Sequence, residues 1–417
     1  MGQTIAQKII ADHTNVTGAE PGDLVDVTPD WILANDLSMY RGMERMNDLG
    51  HDRIAVPDRA IIAFDHHVPS SDPTITTHMN EMREWLEEQR VEHFFDSGEG
   101  ILHNIVAEEG FALPGQLIIG SDSHTTTHGA FGMFSTGISH TDLGQALGTG
   151  ELWLKIPETR KVVVENKLSE GTSAKDLGLA IMGELTASQA IYDAIEYYGA
   201  GIETLEMHER QTLTNFAVEL GAQAGIIPAD DVTKSYLRRR AREEYEIVEA
   251  DDDAEYVATH KLDGSELEPL VAMPSAVDNI GTVEENAGTT VDQVFVGTCN
   301  NGRFGDIEAF ADKLGTDVVS KHTDLIVVPG SKRAYKRMNE EGITNRIMDA
   351  GGVVNAPGCG PCFGAHGGLL GEGDVCVGTM NRNFPGRMGP GEIYLGSPET
   401  AAASAIYGEI TDPREVV

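Results

Sequence analysis

Three of the four cysteines lie in segments whose composition could bring their thiols to one centre. Cys359 and Cys362 are spaced C-x2-C in a stretch rich in glycine and proline, residues that favour tight turns over regular elements. Cys299 follows an apolar run, residues 291–297, that predicts a buried strand. It therefore falls in a polar turn, residues 298–303, at a strand end, where open α/β sheets bind ligands. The pattern predicts a set of three thiol ligands.

Several kinds of site use this spacing. C-x2-C occurs in structural zinc sites and redox dithiols as well as in catalytic metal centres. The fourth cysteine, Cys376, lies in the apolar pattern Asp-Val-Cys-Val-Gly, so we expect it to be a core residue. Three thiolates without a fourth leave an open coordination position, which favours Lewis-acid chemistry over a purely structural role. A zinc site completed by Cys376 or His366 is the alternative.

Acid and imidazole side chains follow two predicted strands. Asp65 and His66 come directly after an apolar run that ends at Phe64, and Asp122 and His124 follow the buried run 117–120. An adjacent acid and imidazole at a strand end can be a general acid with its orienting carboxylate, or only a polar strand exit. The residues alone leave both interpretations open.

Further polar candidates lie downstream. Residues 212–220 predict a helix, and Asn215 and Glu219, four positions apart, share one face of it. Without other information, a solvated glutamate is the common explanation for such a face. We expect His128 and His140 to be loop histidines.

A segment with two arginines, Asn-Arg-Asn-Phe-Pro-Gly-Arg, follows the cysteine loop at residues 381–387. Cys299, Cys359-x2-Cys362 and this segment resemble the large-subunit group of the aconitase family, which comprises aconitases, homoaconitases and isopropylmalate dehydratases. The resemblance runs from end to end and includes Asp-Ser-His-Thr after residue 121. It implies one [4Fe-4S] cluster on the three cysteines, with one iron that no cysteine ligates.

The resemblance also implies roles for individual residues. Asp65 with His66 would protonate the leaving hydroxide, and two arginines would clamp substrate carboxylates with a bidentate geometry that lysine cannot copy. Asp122 with His103, and Glu219 with His124, would form carboxylate–imidazole pairs. The implied catalytic residues are Asp65, His66, His103, Asp122, His124 and Glu219. The implied substrate-binding residues are Arg382, Arg387, Asn381, Asn215, Ser123 and Asn35.

Two positions depart from the family pattern and bear on the substrate. Asn300 replaces the usual threonine after the first cluster cysteine, and Asn35 stands where isopropylmalate dehydratases tend to have histidine and aconitases glutamine. The implied reaction is reversible dehydration of a hydroxy-dicarboxylate or hydroxy-tricarboxylate. We expect the leucine-pathway isomerisation of 2- and 3-isopropylmalate, with homoaconitate, citrate or a methylated malate as alternatives. We also expect a separate small subunit to supply the swivelling domain and its catalytic serine.

The charge balance excludes some partners. The sequence contains 67 acidic and 30 basic residues, for a net charge of −37. This excess argues against binding nucleic acid or anionic membranes, and so against an RNA-binding regulator. It is typical of a surface adapted to high salt, where counter-ions screen the repulsion. The N-terminus has neither a signal peptide nor a membrane span, so we expect a cytoplasmic protein with reduced thiols.

Alternating strand and helix patterns run through the whole chain. They predict an α/β fold with layered domains whose sites lie at strand ends around one cleft. We place three aconitase-type α/β/α domains at residues 1–157, 158–275 and 276–417, the last with the cluster cysteines. The fold expected from the resemblance lacks the swivelling fourth domain.

Overall fold

The structure, a computed structural model, describes residues 2–18 and 20–416. The termini of the first and third predicted domains, Met1 and Val417, lie outside these residues. Three sheets built mainly of parallel strands alternate with helices along the chain. This arrangement confirms the predicted layered α/β fold.

The first sheet has five parallel strands in the order β4-β3-β2-β5-β6, and strands β1 and β7 form a separate antiparallel ribbon. Strands β2, β3 and β5 are almost wholly buried, as expected for parallel strands with helices on both faces. Its elements are α1 (Ile5–Asp12), β1 (Leu24–Val27), β2 (Trp31–Asn35), α2 (Asp36–Asp48), β3 (Ala60–Ala63), α3 (Pro73–Gln89), β4 (His93–Phe95), α4 (Leu102–Glu108), β5 (Leu117–Gly120), β6 (Phe134–Gly137), α5 (His140–Thr149) and β7 (Leu152–Lys155).

The second sheet has four parallel strands in the order β10-β9-β8-β11. In its central strands, Val162 and Val164 of β8 are buried, and so is nearly every residue of β9. Its elements are β8 (Thr159–Glu165), α6 (Ala174–Leu185), β9 (Ala194–Tyr198), α7 (Ala200–Glu203), α8 (Met207–Asn215), β10 (Ala224–Ile226), α9 (Asp231–Leu237) and β11 (Ala258–Asp263).

The third sheet has seven strands in the order β13-β12-β18-β17-β14-β15-β16, and only the pairings of β12 are antiparallel. Its elements are β12 (Leu270–Ala272), β13 (Ile280–Thr282), α10 (Val283–Asn286), β14 (Gln293–Val296), α11 (Thr298–Asn301), α12 (Phe304–Leu314), β15 (Asp324–Val327), α13 (Lys332–Glu340), α14 (Ile343–Asp349), β16 (Val353–Val354), β17 (Val375–Gly378), β18 (Glu392–Leu395) and α15 (Pro398–Tyr407).

The domain boundaries at 157 and 275 stay a prediction. The strands that make up each sheet indicate where the divisions would fall. The first boundary falls between β7 and β8, which belong to different sheets. Strand β12, which precedes the second boundary, is hydrogen bonded into the third sheet. A division just before β12 would therefore keep each sheet within one unit.

The second and third sheets share one hydrophobic core. Ile195 of β9 and Phe216 belong to the same buried cluster as Phe295 of β14, Cys362 and Cys376 of β17. Because a close-packed core is nearly incompressible, this shared core fixes the second unit relative to the cysteine-bearing third unit. None of the helices in the described part of the chain combines the length and the apolarity needed to cross a bilayer.

Two segments near the predicted site differ from the expectation. The helix expected at 212–220 ends at Asn215 and continues as a 3-10 helix, Phe216–Leu220. The turn expected at 298–303 begins instead with the short helix α11. In both places, local sequence patterns do not reveal the tertiary contacts that tighten or wind the backbone.

Candidate active site

The first segment of candidate catalytic residues follows β3 and is anchored by Asp36, the first residue of α2. The Asp36 carboxylate accepts hydrogen bonds from the backbone amides of Asp65 (2.9 Å), His66 (2.8 Å) and His67 (2.7 Å). The His67 ring contacts it as well, at 2.9 Å. Burial alone would raise the pKa of Asp36, but these donors and the nearby His66 lower it far below its usual value. The buried carboxylate therefore holds the strand exit as a fixed loop.

Asp65 and His66 form a buried acid–imidazole pair. His66 Nδ1 lies 2.6 Å from Asp65 Oδ1, and Asp65 Oδ2 accepts a hydrogen bond from the amide of Leu102 at 2.8 Å. The carboxylate thereby fixes the imidazole tautomer and leaves Nε2 to face the cleft. Burial would lower the pKa of His66, but the Cys359 thiol and Asp65 raise it well above its usual value.

A second cluster forms where β5 ends. Asp122 Oδ1 lies 3.1 Å from His103 Nε2 and 3.5 Å from His124 Nδ1, and Asp122 Oδ2 lies 3.7 Å from His66 Nε2. Asn35 donates a hydrogen bond to Asp122 Oδ2 at 3.1 Å. Burial would raise the pKa of Asp122, but its bonds to His103 and His124 hold it well below the usual range. One carboxylate thus orients imidazoles from three segments of the first unit.

Glu219 links this cluster to the arginine segment. Its Oε1 lies 2.9 Å from His124 Nε2 and accepts a hydrogen bond from Arg382 Nε at 2.7 Å. Arg382 Nη2 donates to Ser123 Oγ at 3.0 Å. Burial would raise the pKa of Glu219, but His124 and Arg382 lower it. The structure therefore brings Glu219, expected on a solvated face from pattern alone, into a buried ion-pair network.

The three predicted cysteines converge on the same cleft. Cys299 lies in α11, Cys359 directly precedes the 3-10 helix Gly360–Phe363, and Cys362 lies within that helix. All cysteines are unpaired thiols. Asn215 and Asn381 each donate a side-chain N–H to Cys299 Sγ at 3.4 Å, and Arg387 Nη2 donates to Cys362 Sγ at 3.6 Å.

The surroundings of Cys299 and Cys359 disfavour the thiolate form of both side chains. Burial, together with the nearby Asp122 and Cys362, raises the pKa of Cys299 to about 12. Burial also raises the pKa of Cys359, and Cys362 adds to the shift. Buried thiols whose pKa is raised need a cationic partner to become thiolates. A metal cluster would provide one.

The donor set fits a cluster better than a single zinc ion. Among the described residues, one group of metal-ligand type, Asp65, His66 and Cys359, has ligand atoms all within 4.8 Å of one another. The three cysteine sulfurs do not meet this limit, whereas Zn–S bonds of about 2.3 Å would place thiolates about 3.8 Å apart. N–H donors to the sulfurs are typical of iron–sulfur sites.

The alternative zinc ligands lie elsewhere. Cys376 is fully buried in β17, as predicted for a core residue, and its sulfur contacts Gln293 Nε2 at 4.0 Å. His366 donates from Nε2 to the carbonyl oxygen of His66 at 2.8 Å. Neither side chain joins the three thiols as a fourth ligand in the described structure.

Arg387 completes the site from the arginine segment. Burial would lower its pKa, but Cys362, Cys359 and Glu219 raise it, so the guanidinium stays charged. Within the described residues, Arg387 Nε and Asn381 Oδ1 are buried without a hydrogen-bond partner. Buried polar atoms of this kind require a partner, and a substrate carboxylate or hydroxyl would supply one.

Sequence reasoning missed one imidazole of the site. His128, expected in a loop, is fully buried in the 3-10 helix Ser123–Phe131, and its Nε2 lies 3.4 Å from His103 Nδ1. His140 also differs from the expectation, because it begins α5 and is exposed. No local spacing marked His128, because residues four apart do not share a face in a 3-10 helix.

The fold and site define the class of protein. The crystal structure of Thermococcus kodakaraensis aconitase X in its holo-form has the same fold, with a TM-score of 0.53 over 86% of this chain and 84% of that one. At 11% identity, this likeness concerns the fold alone. The chain also matches the Aconitase family (aconitate hydratase) over residues 7–289 and 279–408. It belongs to the aconitase family.

Curated relatives match nearly the whole chain. The 3-isopropylmalate dehydratase large subunit 1 of Methanopyrus kandleri is 44% identical over 416 residues, 99% of each chain. The probable methanogen homoaconitase large subunit of Methanosarcina mazei is 45% identical over 394 residues, 94% of this chain and 100% of that one. The 3-isopropylmalate dehydratase large subunit of Aquifex aeolicus is 40% identical, over 100% of this chain and 98% of that one.

Proposed function

We propose that this chain is the large, cluster-binding subunit of a hydro-lyase that interconverts 2- and 3-isopropylmalate by dehydration and rehydration. The observation that carries the proposal is the convergence of three thiols, the Asp65–His66 pair and two arginines in one cleft. Relatives named 3-isopropylmalate dehydratase large subunit, matched from end to end, support this substrate.

We further propose that Cys299, Cys359 and Cys362 hold one [4Fe-4S] cluster with one iron that no cysteine ligates. When bound, the cluster supplies a Lewis acid that polarises the C–O bond of the substrate. Cluster thiols must stay reduced, which supports a cytoplasmic localisation. The net charge of −37 supports a protein adapted to high salt.

His66 is the proposed acid for the departing hydroxide. Cys359 and Asp65 raise its pKa, which favours the protonated imidazole, and Asp65 holds Nδ1 so that Nε2–H faces the cleft. In the reverse direction the same nitrogen takes a proton from the attacking water, because each step must be reversible by the same path. Asp122 would stabilise the imidazolium from the opposite side, 3.7 Å from Nε2.

The arginines would bind the substrate carboxylates. Glu219 and Ser123 fix the plane of the Arg382 guanidinium, and Arg387 has a buried Nε free to donate. Charged N–H donors also stabilise the negative charge that develops when the α-proton leaves. His103, His124, Asn215 and Asn35 would orient these groups through the contacts described above.

The proton-abstracting base is proposed to come from a partner. The relatives are named large subunits, which supports a small subunit that carries the swivelling domain and its catalytic serine. Discrimination at the far end of the substrate would then fall largely to that subunit. This chain would contribute Asn35, which touches Asp122 at the floor of the cleft.

Homoaconitate is the second candidate substrate, because the Methanosarcina mazei relative named for homoaconitase is 45% identical. The two substrates share the malate-like half and differ at the far end, apolar in one and a carboxylate in the other. The test is an anaerobic assay of the chain with its small subunit on isopropylmalate, homoaconitate and citrate. We expect the highest kcat/KM for isopropylmalate; a higher value for either other acid would reassign the substrate.

A further inference from the structure

A buried lysine lies behind the proposed cluster site and has no part in the mechanism above. Lys175, in the first turn of α6, is 1% exposed and is among the largest fully buried side chains. Its Nζ donates to Asn300 Oδ1 at 2.6 Å and to the carbonyl oxygens of Thr379 (2.9 Å) and Met380 (2.5 Å). The ring of Phe216 lies 4.7 Å away and adds a cation–π contact.

These contacts require the charged form of the lysine. All three partners are acceptors, since the Asn300 amide group donates from Nδ2 to Asn215 Oδ1 and to the Thr212 carbonyl. Only an ammonium group supplies three N–H donors. Burial lowers the pKa of Lys175 to about 7, while Asp306, Asp176 and the thiols Cys299 and Cys362 oppose that shift.

Such a cation is costly to bury. Among the described residues, no carboxylate oxygen lies within 4.0 Å of Lys175 Nζ, the limit for an ion pair. A buried charge without an ion-pair partner disfavours folding unless another gain offsets its desolvation. The nearby carboxylates Asp306 and Asp176, and the thiols Cys299 and Cys362 once they are thiolates, are the negative groups that offset this cost.

The lysine joins two segments of the site. Asn300 follows Cys299, and Thr379 and Met380 precede the segment that carries Asn381 and Arg382. Asn300 also bonds to Asn215, which donates to Cys299 Sγ, and Asn381 donates to the same sulfur. A single ammonium group therefore positions both amides that donate to this sulfur. Asn300, whose Oδ1 accepts a hydrogen bond from the lysine, is one of the two positions at which we expect a departure from the family pattern.

We propose that Lys175 is a positioning residue that holds the Cys299 and Asn381 segments together and places a fixed positive charge behind the thiolates. This rests on the proposed function, because it takes the cysteines to hold an iron–sulfur cluster. A positive charge favours the reduced, more negative cluster, so Lys175 raises the reduction potential. A lysine that served only to fill space would not affect the potential.

The test is a redox titration of the full chain, loaded with its cluster anaerobically and followed by electron paramagnetic resonance. We expect Lys175→Met to lower the midpoint potential, leaving about tenfold less reduced cluster at a fixed potential, or about 59 mV for one electron. Arg210→Met is the matched control. Arg210 is equally buried but pairs with Asp230 away from the cysteines, so its loss should leave the potential unchanged.

The outcomes separate this inference from the proposed function. If the unaltered chain binds no cluster, the proposed function fails before any variant is compared. An unchanged potential in Lys175→Met, or an equal shift in the Arg210 control, overturns the role of Lys175 alone. If Lys175→Met does not retain the cluster, Lys175→Arg is titrated instead. If that variant retains the cluster and the original potential, the result supports the role of the positive charge at this position. If it loses the cluster, the proposed role of Lys175 is overturned.

Discussion

The backbone amide of Cys359 donates a 2.9 Å hydrogen bond to the carbonyl oxygen of Asp65. The loop that carries two thiols in the third unit is thereby joined to the strand exit that carries the acid–imidazole pair in the first. His366 reinforces the junction by donating to the carbonyl of His66. Movement of one segment would displace the other, so the thiol loop and the proposed proton donor keep a fixed relation.

The first prediction compares Cys376, a core residue, with Cys362, a proposed cluster ligand. Cys376→Ser should keep the brown chromophore of the anaerobically prepared chain, because Cys376 lies in β17 away from the other thiols. Cys362→Ser should lose it, because Cys362 is a proposed ligand. Visible absorbance and iron and sulfide analysis measure the result. Equal retention in both variants, each still folded, would contradict the ligand assignment.

The second prediction concerns the partner. The purified chain should bind its cluster and yet show almost no turnover, since the proposed serine base comes from the small subunit. Addition of that subunit should restore activity without changing the iron content. Absorbance and isopropylmalate turnover are measured on the same samples. Full turnover by this chain alone would refute the proposal.

Asp65→Asn tests the proposed proton donor. Loss of the carboxylate removes the charge that holds Nδ1 of His66 and favours its protonated form, so kcat should fall by about 10²–10⁴ while KM changes little. The exposed Asp58→Asn change is the control and should leave kcat unchanged. The kinetics are measured on the pair of subunits with cluster content checked by absorbance. A normal kcat with a full cluster would exclude His66 as the acid.

Asp36 predicts a dependence of stability on pH. Its pKa is lowered in the folded chain, so the carboxylate stabilises the fold above the unfolded value, about 3.9, and this contribution is lost as the pH falls toward the folded value. Asp36→Asn should lower the unfolding free energy by about 2–4 kcal/mol at pH 7, with a smaller difference at pH 3.

Urea unfolding of both chains at pH 7, 5 and 3 measures this difference. The control is Asp58→Asn, which removes the same charge from an exposed position instead of a buried one. That change should have almost no effect at any of the three pH values. A destabilisation by Asp36→Asn that does not shrink at pH 3 would show that the charge of Asp36 is not its source.

Much of the fold and of the site's chemistry could be predicted from the sequence. The buried run 117–120 predicted β5 to the residue, and the run before Cys299 contains β14. The apolar pattern around Cys376 placed it in a strand core, and Cys359 and Cys362 lie in the tight, glycine- and proline-rich segment that was expected. These predictions succeed because strand patterns and turn residues are local properties of the chain.

Only the tertiary structure decided the contacts between distant segments. Strand order sets β17 beside β14, and so brings the arginine segment to the thiol of Cys299, although they are about eighty residues apart in sequence. The role of Asp36 as an anchor, the contact of His128 with His103 and the burial of Lys175 follow from the same packing. A lysine or histidine in a polar, helical pattern has no local mark of burial, because its surroundings come from other elements of the fold.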